Sequence, residues 1–387
     1  MGALPRCKSN GTQYARGSLI WPAVACRRPL RCIGPGLAFS DRLRAGLTVR
    51  GSGGPHHLAG PPGFVASEQA HAPGRSLQSG LRPNAGYSRS RQRMGCPWAS
   101  TRRESQLWRG EMPEIRRDSG LAAINNALIY YEIAGEGQPL VMIHAGVADS
   151  RQWNNEFAYF TNRYRVLRYD MRGYGKSEPV AGEFSHLQDL TALLDHLQLD
   201  QPLVLMGCSM GGGLAMDFAL TYPANVKALI MVDAGPTGLE LDVPGPAGFE
   251  EAEQAYNAGD LDLVAEIETQ IWFDGMGRTP MQVNQAMRQL AYEMNRNALS
   301  HEAKRLGKRL PNSQVPAVER LSELHVPVLV IVGAHDTPYM LAAASYMVEK
   351  IPSARKEIIE DAAHLPNMDH PVEFQRIVTE FLDALPS

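Results

Sequence analysis

From about residue 119 the chain alternates two kinds of apolar pattern. Short, nearly continuous runs end close to Gly, Asp or His: LIYYEIAG, PLVMIHAG, YRVLRYDMRG, PLVLMGCS, VKALIMVDAG, VPVLVIVGAHD and ARKEIIED. Runs of this kind predict strands buried on both faces. Between them, SRQWNNEFAYFTNRY, FSHLQDLTALLDHLQL, GGGLAMDFALTYP and PVEFQRIVTEFLDAL repeat their apolar residues at helical spacing. The alternation predicts an α/β fold, a doubly wound and mostly parallel sheet covered on both faces, with function at the carboxyl ends of the strands. One interval breaks the rhythm. The 90 residues from Pro236 to His325 exceed a normal crossover, and FEEAEQAYNAGDLDLVAEIETQIWF with MQVNQAMRQLAYEMNRNALSHEAKRL predicts at least three helices. A helical segment inserted over 237–320, above the strand ends, is placed to act as a lid.

Residues 1–111 carry no such pattern. Up to Gly110 there are 17 basic residues, 16 of them Arg, against three acidic ones, a balance of +14. The remaining 277 residues hold 21 basic and 38 acidic groups, or −17, so the overall −3 averages two unlike objects. Gly and Pro supply 26 of the first 110 residues, too many for a stretch expected to bury enough apolar surface to offset its chain entropy. The expectation is a disordered extension over 1–111 and a catalytic domain over 112–387. Trp21, Trp98, Trp108, four cysteines and a single Lys are unusual for a natural disordered region. The biological chain is therefore expected to begin at Met112, with the upstream part a translated leader. A secretory reading of GSLIWPAVAC is disfavoured by Pro22 and the following Arg27 and Arg28. Without an ordered aromatic platform, the basic run implies no specific nucleic acid partner. Cys208 is the one cysteine beyond the extension and cannot form an internal disulfide there, so a cytoplasmic location suits the domain. No apolar run reaches the roughly 18 residues of a membrane span.

The strongest chemical signal is Gly207-Cys208-Ser209-Met210-Gly211, which fits G-x-S-x-G, follows the strand PLVLM and opens the helix GGGLAMDFAL. That context describes a nucleophile elbow: a serine on a strained strand-to-helix turn needs neighbours without side chains, and the first helical N–H groups face the developing oxyanion. A serine hydroxyl needs a base, and the base an orienting acid. Asp336 ends the strand VPVLVIVGAHD, and His364 follows the last strand in EDAAHLPNMDHP. The order Ser209, Asp336, His364 and these positions resemble the alpha/beta-hydrolase superfamily, in particular its serine esterase and lactonase-like branch with a helical lid, over about residues 119–385.

The resemblance implies an oxyanion hole built from the N–H of Met210 and one from the loop VMIHAGVADS, either Gly146 or Ala145, where the family more often has Gly. It also implies that His144 shapes that loop, and that Asp170-Met171-Arg172-Gly173-Tyr174-Gly175-Lys176-Ser177 is a structural turn. A phosphate-binding loop would need Gly in place of Asp170. Asp233, at the end of VKALIMVD, is a rival for the acid, since some members of the superfamily carry theirs there. His335 and His370 are weaker rivals for the base. Cys208 reads as buried filler. Trp272, Phe273 and Met276 are candidates for a substrate pocket, although they could equally form the lid's own core. No Cys/His set has zinc spacing, and neither metal nor cofactor is implied. The expected function is hydrolysis of a small carboxylic ester or lactone. The alternatives are perhydrolase or haloperoxidase-like chemistry, carbon-carbon bond hydrolysis, and a non-catalytic small-molecule receptor of this fold. Oligomeric state is not legible.

Overall fold

The computed structural model describes residues 117–386. The extension expected over 1–111 and the start at Met112 lie outside them.

Among the described residues ten strands occur in chain order: β1 (Arg117–Ile124), β2 (Ala127–Ala134), β3 (Pro139–Ile143), β4 (Arg165–Tyr169), β5 (Glu183–Phe184), β6 (Leu203–Cys208), β7 (Val226–Val232), β8 (Lys308–Arg309), β9 (Val328–Gly333) and β10 (Ala354–Ile359). Eight of them form one sheet in the order β1-β2-β4-β3-β6-β7-β9-β10, while β5 and β8 pair separately. The ladders from β4 to β10 are parallel, and β2 pairs antiparallel with both β1 and β4. The run-based expectation omits β1, whose RDSGLAAI has little alternation. It pairs with β2 through a two-residue turn in which Asn125 and Asn126 adopt φ of 44° and 63°. Asn tolerates that region better than most side chains, so Asn-Asn closes the hairpin.

The helices are α1 (Asn154–Phe160), α2 (His186–His196), α3 (Met210–Thr221), α4 (Phe249–Ala258), α5 (Leu261–Thr269), α6 (Gln285–Glu302), α7 (Pro338–Lys350), α8 (Pro366–Asp369) and α9 (Pro371–Asp383). Strand alternation divides the core in two. Val141, Ile143, Leu167, Leu205 and Val330 pack with residues of α2, α3 and α7 on one face. Leu140, Met142, Val166, Val204 and Leu329 pack with residues of α1 and α9 on the other. Each central strand is buried on both sides, which explains why its sequence reads as a continuous apolar run.

Between β7 and β9 lie α4, α5 and α6, with a π-helical turn over Gln270–Asp274. Ile267, Ile271, Trp272, Phe273 and Met294 belong to the same apolar cluster as Cys208 and Ile331, so the inserted helices are continuous with the main core. A buried pair, Arg278 Nη1 to Asp369 Oδ2 at 2.8 Å, joins the segment to α8. Arg278 also donates to the Phe273 and Asp274 carbonyls at 2.9 and 2.7 Å, and to that of Asp361. Among the described residues no helix is long and apolar enough to cross a membrane.

Candidate active site

Ser209 joins β6 to α3 with φ 52° and ψ −115°, a conformation L side chains rarely adopt. Its N–H donates to the Val232 carbonyl at 2.9 Å, and its carbonyl accepts the first helical bond, from Gly213 at 3.0 Å. Strain of this kind persists only where the surroundings enforce it, and here the glycines permit it. A Cβ on Gly207 would lie 2.3 Å from the Gly211 carbonyl oxygen, and one on Gly211 would lie 2.4 Å from that of Ile143. The elbow therefore sits directly against the end of β3.

His364 and Asp336 meet beyond neighbouring strand ends. The ring Nδ1 and Asp336 Oδ2 are 2.6 Å apart, both side chains essentially fully buried. Asp336 Oδ1 accepts the Thr337 N–H at 2.6 Å. With Nδ1 donating to the acid, Nε2 is left with a lone pair for a proton. Among the described residues no hydrogen bond joins Ser209 Oγ to the ring. The Trp272 ring lies 4.6 Å from the His364 ring, centroid to centroid, and its carbonyl accepts the His364 N–H at 3.1 Å.

The loop after β3 holds both expected oxyanion donors. Ala145 N–H donates to Gln152 Oε1 at 2.8 Å, whereas Gly146 N–H has no such partner among the described residues. His144 is wholly buried. Its Nε2 accepts the Met171 N–H at 3.0 Å, so Nδ1 donates to the Ala145 carbonyl at 2.7 Å, and burial holds its pKa below the ordinary value. A neutral ring thus links the loops after β3 and β4. Behind it runs a buried polar chain. Gln152 Nε2 donates to Asn367 Oδ1 at 3.3 Å, and Asn367 Nδ2 donates to the Gln152 carbonyl at 2.8 Å and to Glu156 Oε2 at 3.0 Å. Asn367 lies three residues past His364, so one network connects the loops bearing both candidate functions. Nothing in residue type or spacing marks Gln152, Glu156 or Asn367 beforehand.

The other candidates fall in different places. Phe273 is buried in the core; Met276 is 49 % exposed, and its backbone pairs with His335. His335 and His370 instead bond backbone carbonyls, at 2.8 and 3.0 Å. Cys208 is buried, with Sγ 3.4 Å from the His364 carbonyl, and burial pushes its thiol pKa well up, which disfavours a reactive thiolate. The Met210 sulfur meets Arg309 Nη1 at 2.9 Å and the Tyr174 hydroxyl at 3.8 Å. Neither residue stands out in the sequence.

Asp233, Asp336 and His364 offer ligand atoms all within 4.8 Å of one another. The 2.6 Å between His364 Nδ1 and Asp336 Oδ2 is a hydrogen bond, however. Two ligands sharing a tetrahedral ion at about 2.0–2.1 Å would stand roughly 3.3 Å apart, so the pair is not arranged to hold a cation.

A serine on a strained turn with an acid-histidine pair at adjacent strand ends is the layout of acyl-transfer enzymes built on a doubly wound sheet. A family model described as alpha/beta hydrolase fold matches residues 138–371, more than half of the chain. The chain belongs to the alpha/beta hydrolase family. Curated relatives include pimeloyl-(acyl-carrier protein) methyl ester esterase of Aeromonas hydrophila subsp. hydrophila, 29% identical over 254 residues, which span 64% of this chain and 96% of that protein. Another is 3-oxoadipate enol-lactonase 2 of Acinetobacter baylyi, 26% identical over 274 residues, or 69% and 97% of the two chains. Among solved structures, a bromoperoxidase from Bacillus anthracis matches with a TM-score of 0.58 and 26% identity, covering 69% of this chain and all of that one. The protein is thus a hydrolase by family and esterase- and lactonase-like by its relatives.

Proposed function

We propose that the protein hydrolyses a small carboxylic ester or lactone through an acyl-enzyme on Ser209. The observation that carries this reading is the buried 2.6 Å bond between His364 and Asp336, at the same edge of the sheet as the strained serine. In the proposed cycle His364 Nε2 takes the Ser209 proton as Oγ attacks the carbonyl carbon, and Asp336 stabilises the imidazolium that forms. The N–H groups of Met210 and Gly146 receive the oxyanion; Gln152 supports this by occupying the competing Ala145 donor. His364 then returns the proton to the departing alkoxide, and water repeats the sequence on the acyl-enzyme. The helices between β7 and β9 act as a lid, with Trp272 against the catalytic ring, and the substrate's acyl group is selected beneath them.

The test is turnover of a short p-nitrophenyl ester and of a lactone by the wild type and Ser209→Ala, with fluorophosphonate labelling of Ser209. Loss of about 10⁴-fold or more in kcat is expected; near wild-type turnover by the variant overturns the assignment. The likeness to a bromoperoxidase favours a second reading, in which hydrogen peroxide intercepts the acyl-enzyme to give a peracid. Peracid formation from acetate and peroxide, faster than ester hydrolysis, would select it.

A further inference from the structure

Asp233 has no task in the cycle above, yet it lies beside it. It directly follows β7, the neighbour of β9 in the sheet, and its carboxyl lies within 4.8 Å of that of Asp336. The residue is 1% exposed and adopts φ 42°, in the left-handed region that Asp tolerates better than most side chains. Its Oδ1 accepts the Gly333 N–H at 2.9 Å, but Oδ2, fully buried, meets no donor. The titratable groups facing it are Asp336, His364 and the Cys208 thiol.

Two acceptor-only carboxylates cannot both stay ionised at this separation without water, because each raises the cost of charging the other. Both oxygens of Asp336 already accept, Oδ2 from His364 and Oδ1 from the Thr337 N–H. A proton on the orphan oxygen of Asp233 would let it donate to Asp336, whose carboxylate lies within 4.8 Å. Burial, and after it the Asp336 charge, push the Asp233 carboxyl well above its usual range, in agreement with that arrangement.

We propose that Asp233 is a positioning residue that shares one proton with Asp336 and orients it toward His364, and that it becomes the carboxylate of the site when Asp336 is neutralised. This rests on the triad proposed above. When Asp336 is replaced by Asn, the like charge disappears, burial alone still holds the Asp233 carboxyl up, and Asp233 ionises as the pH rises. The new amide's oxygen then accepts from His364 Nδ1–H and its NH2 donates to Asp233, giving up the Thr337 N–H contact, so the negative charge moves back by one group rather than vanishing.

The experiment is a double-mutant cycle on the full chain, reading kcat, KM and the pH profile for a p-nitrophenyl ester. Asp336→Asn is expected to retain at least tenfold more kcat than Asp233→Asn/Asp336→Asn, where no carboxylate remains and about a 10⁴-fold loss applies. Its profile should carry a rise with pH from the ionisation of Asp233, in addition to any rise the double variant shows. Equal kcat and identical profiles for the two overturn the proposal. Should Asp336→Asn fail to fold, the comparison moves to Asp233→Asn against Asp233→Leu. Asn keeps a donor toward Asp336 and Leu does not, so the expected result is a tenfold or greater advantage in kcat for Asn at unchanged KM; equal kcat for the two overturns the proposal. Fluorophosphonate labelling of the wild type separates the layers. Absence of labelling removes the triad itself, whereas labelling with a flat cycle removes only the role of Asp233.

Discussion

Gly211→Ala is a severe test of how the elbow is held. Inside an exposed helix the change would stabilise by about 1 kcal/mol, because Gly has more backbone freedom to lose. Here its sign should reverse. The added Cβ would sit 2.4 Å from the Ile143 carbonyl oxygen and 2.5 Å from that of His144. Ordinary contact would require the start of α3 and the end of β3 to separate by roughly 1 Å. Those two segments carry the proposed oxyanion donors, Met210 and Gly146, and a displacement of about 1 Å at a reacting centre costs on the order of 10²-fold in rate. Backbone atoms on both sides leave no flexible side chain to absorb the insertion, so a further 1–3 kcal/mol of stability, roughly, should be lost to overpacking. The assay pairs kcat for a p-nitrophenyl ester with urea unfolding. Unchanged turnover together with a raised unfolding midpoint would refute the close approach of α3 to β3.

Three further predictions concern buried polar groups. Gln152→Leu leaves the Ala145 N–H buried without an acceptor, a cost of about 1–3 kcal/mol, and should lower kcat with little change in KM; Gln152→Glu, which keeps the accepting oxygen, should recover part of the loss. Glu156 is wholly buried, and burial raises its pKa to about 7. A carboxyl with a raised folded pKa destabilises the protein as it ionises, so stability should fall as pH climbs from about 4.5 through 7, by about 3 kcal/mol for a shift of this size. Urea unfolding at pH 5 and pH 8 should show that fall in the wild type and a smaller one in Glu156→Gln; equal falls would contradict it. Arg278→Ala leaves Asp369 with the Asn284 N–H as its donor and removes the charged tie between the inserted segment and α8, for a loss of about 3 kcal/mol; an unfolding curve coincident with the wild type would argue against that anchor.

The sequence suffices for a good deal of this molecule. Continuous apolar runs identify β3, β4, β6, β7 and β9 because parallel central strands are buried on both faces, and the G-x-S-x-G between PLVLM and GGGLAMDFAL marks Ser209 because a strained turn tolerates few residue types. The edges are less legible. β1 is RDSGLAAI and half exposed, so its place comes from pairing with β2 rather than from its own pattern. The helix α7 likewise escapes the reading, since its apolar contrast is shallow.

Relations between distant residues belong to the tertiary structure alone. Read along the chain, Asp233 and Asp336 are rivals for one role; the sheet order makes β7 and β9 neighbours and sets both carboxyls beside one histidine. The proposed preference for Gly146 over Ala145 rests on Gln152, whose side chain reaches one N–H and not the other. Local patterns record which residues are buried and how the backbone must bend. Which buried polar group meets which depends on strand order and loop closure, and those are set by the packing of the whole domain.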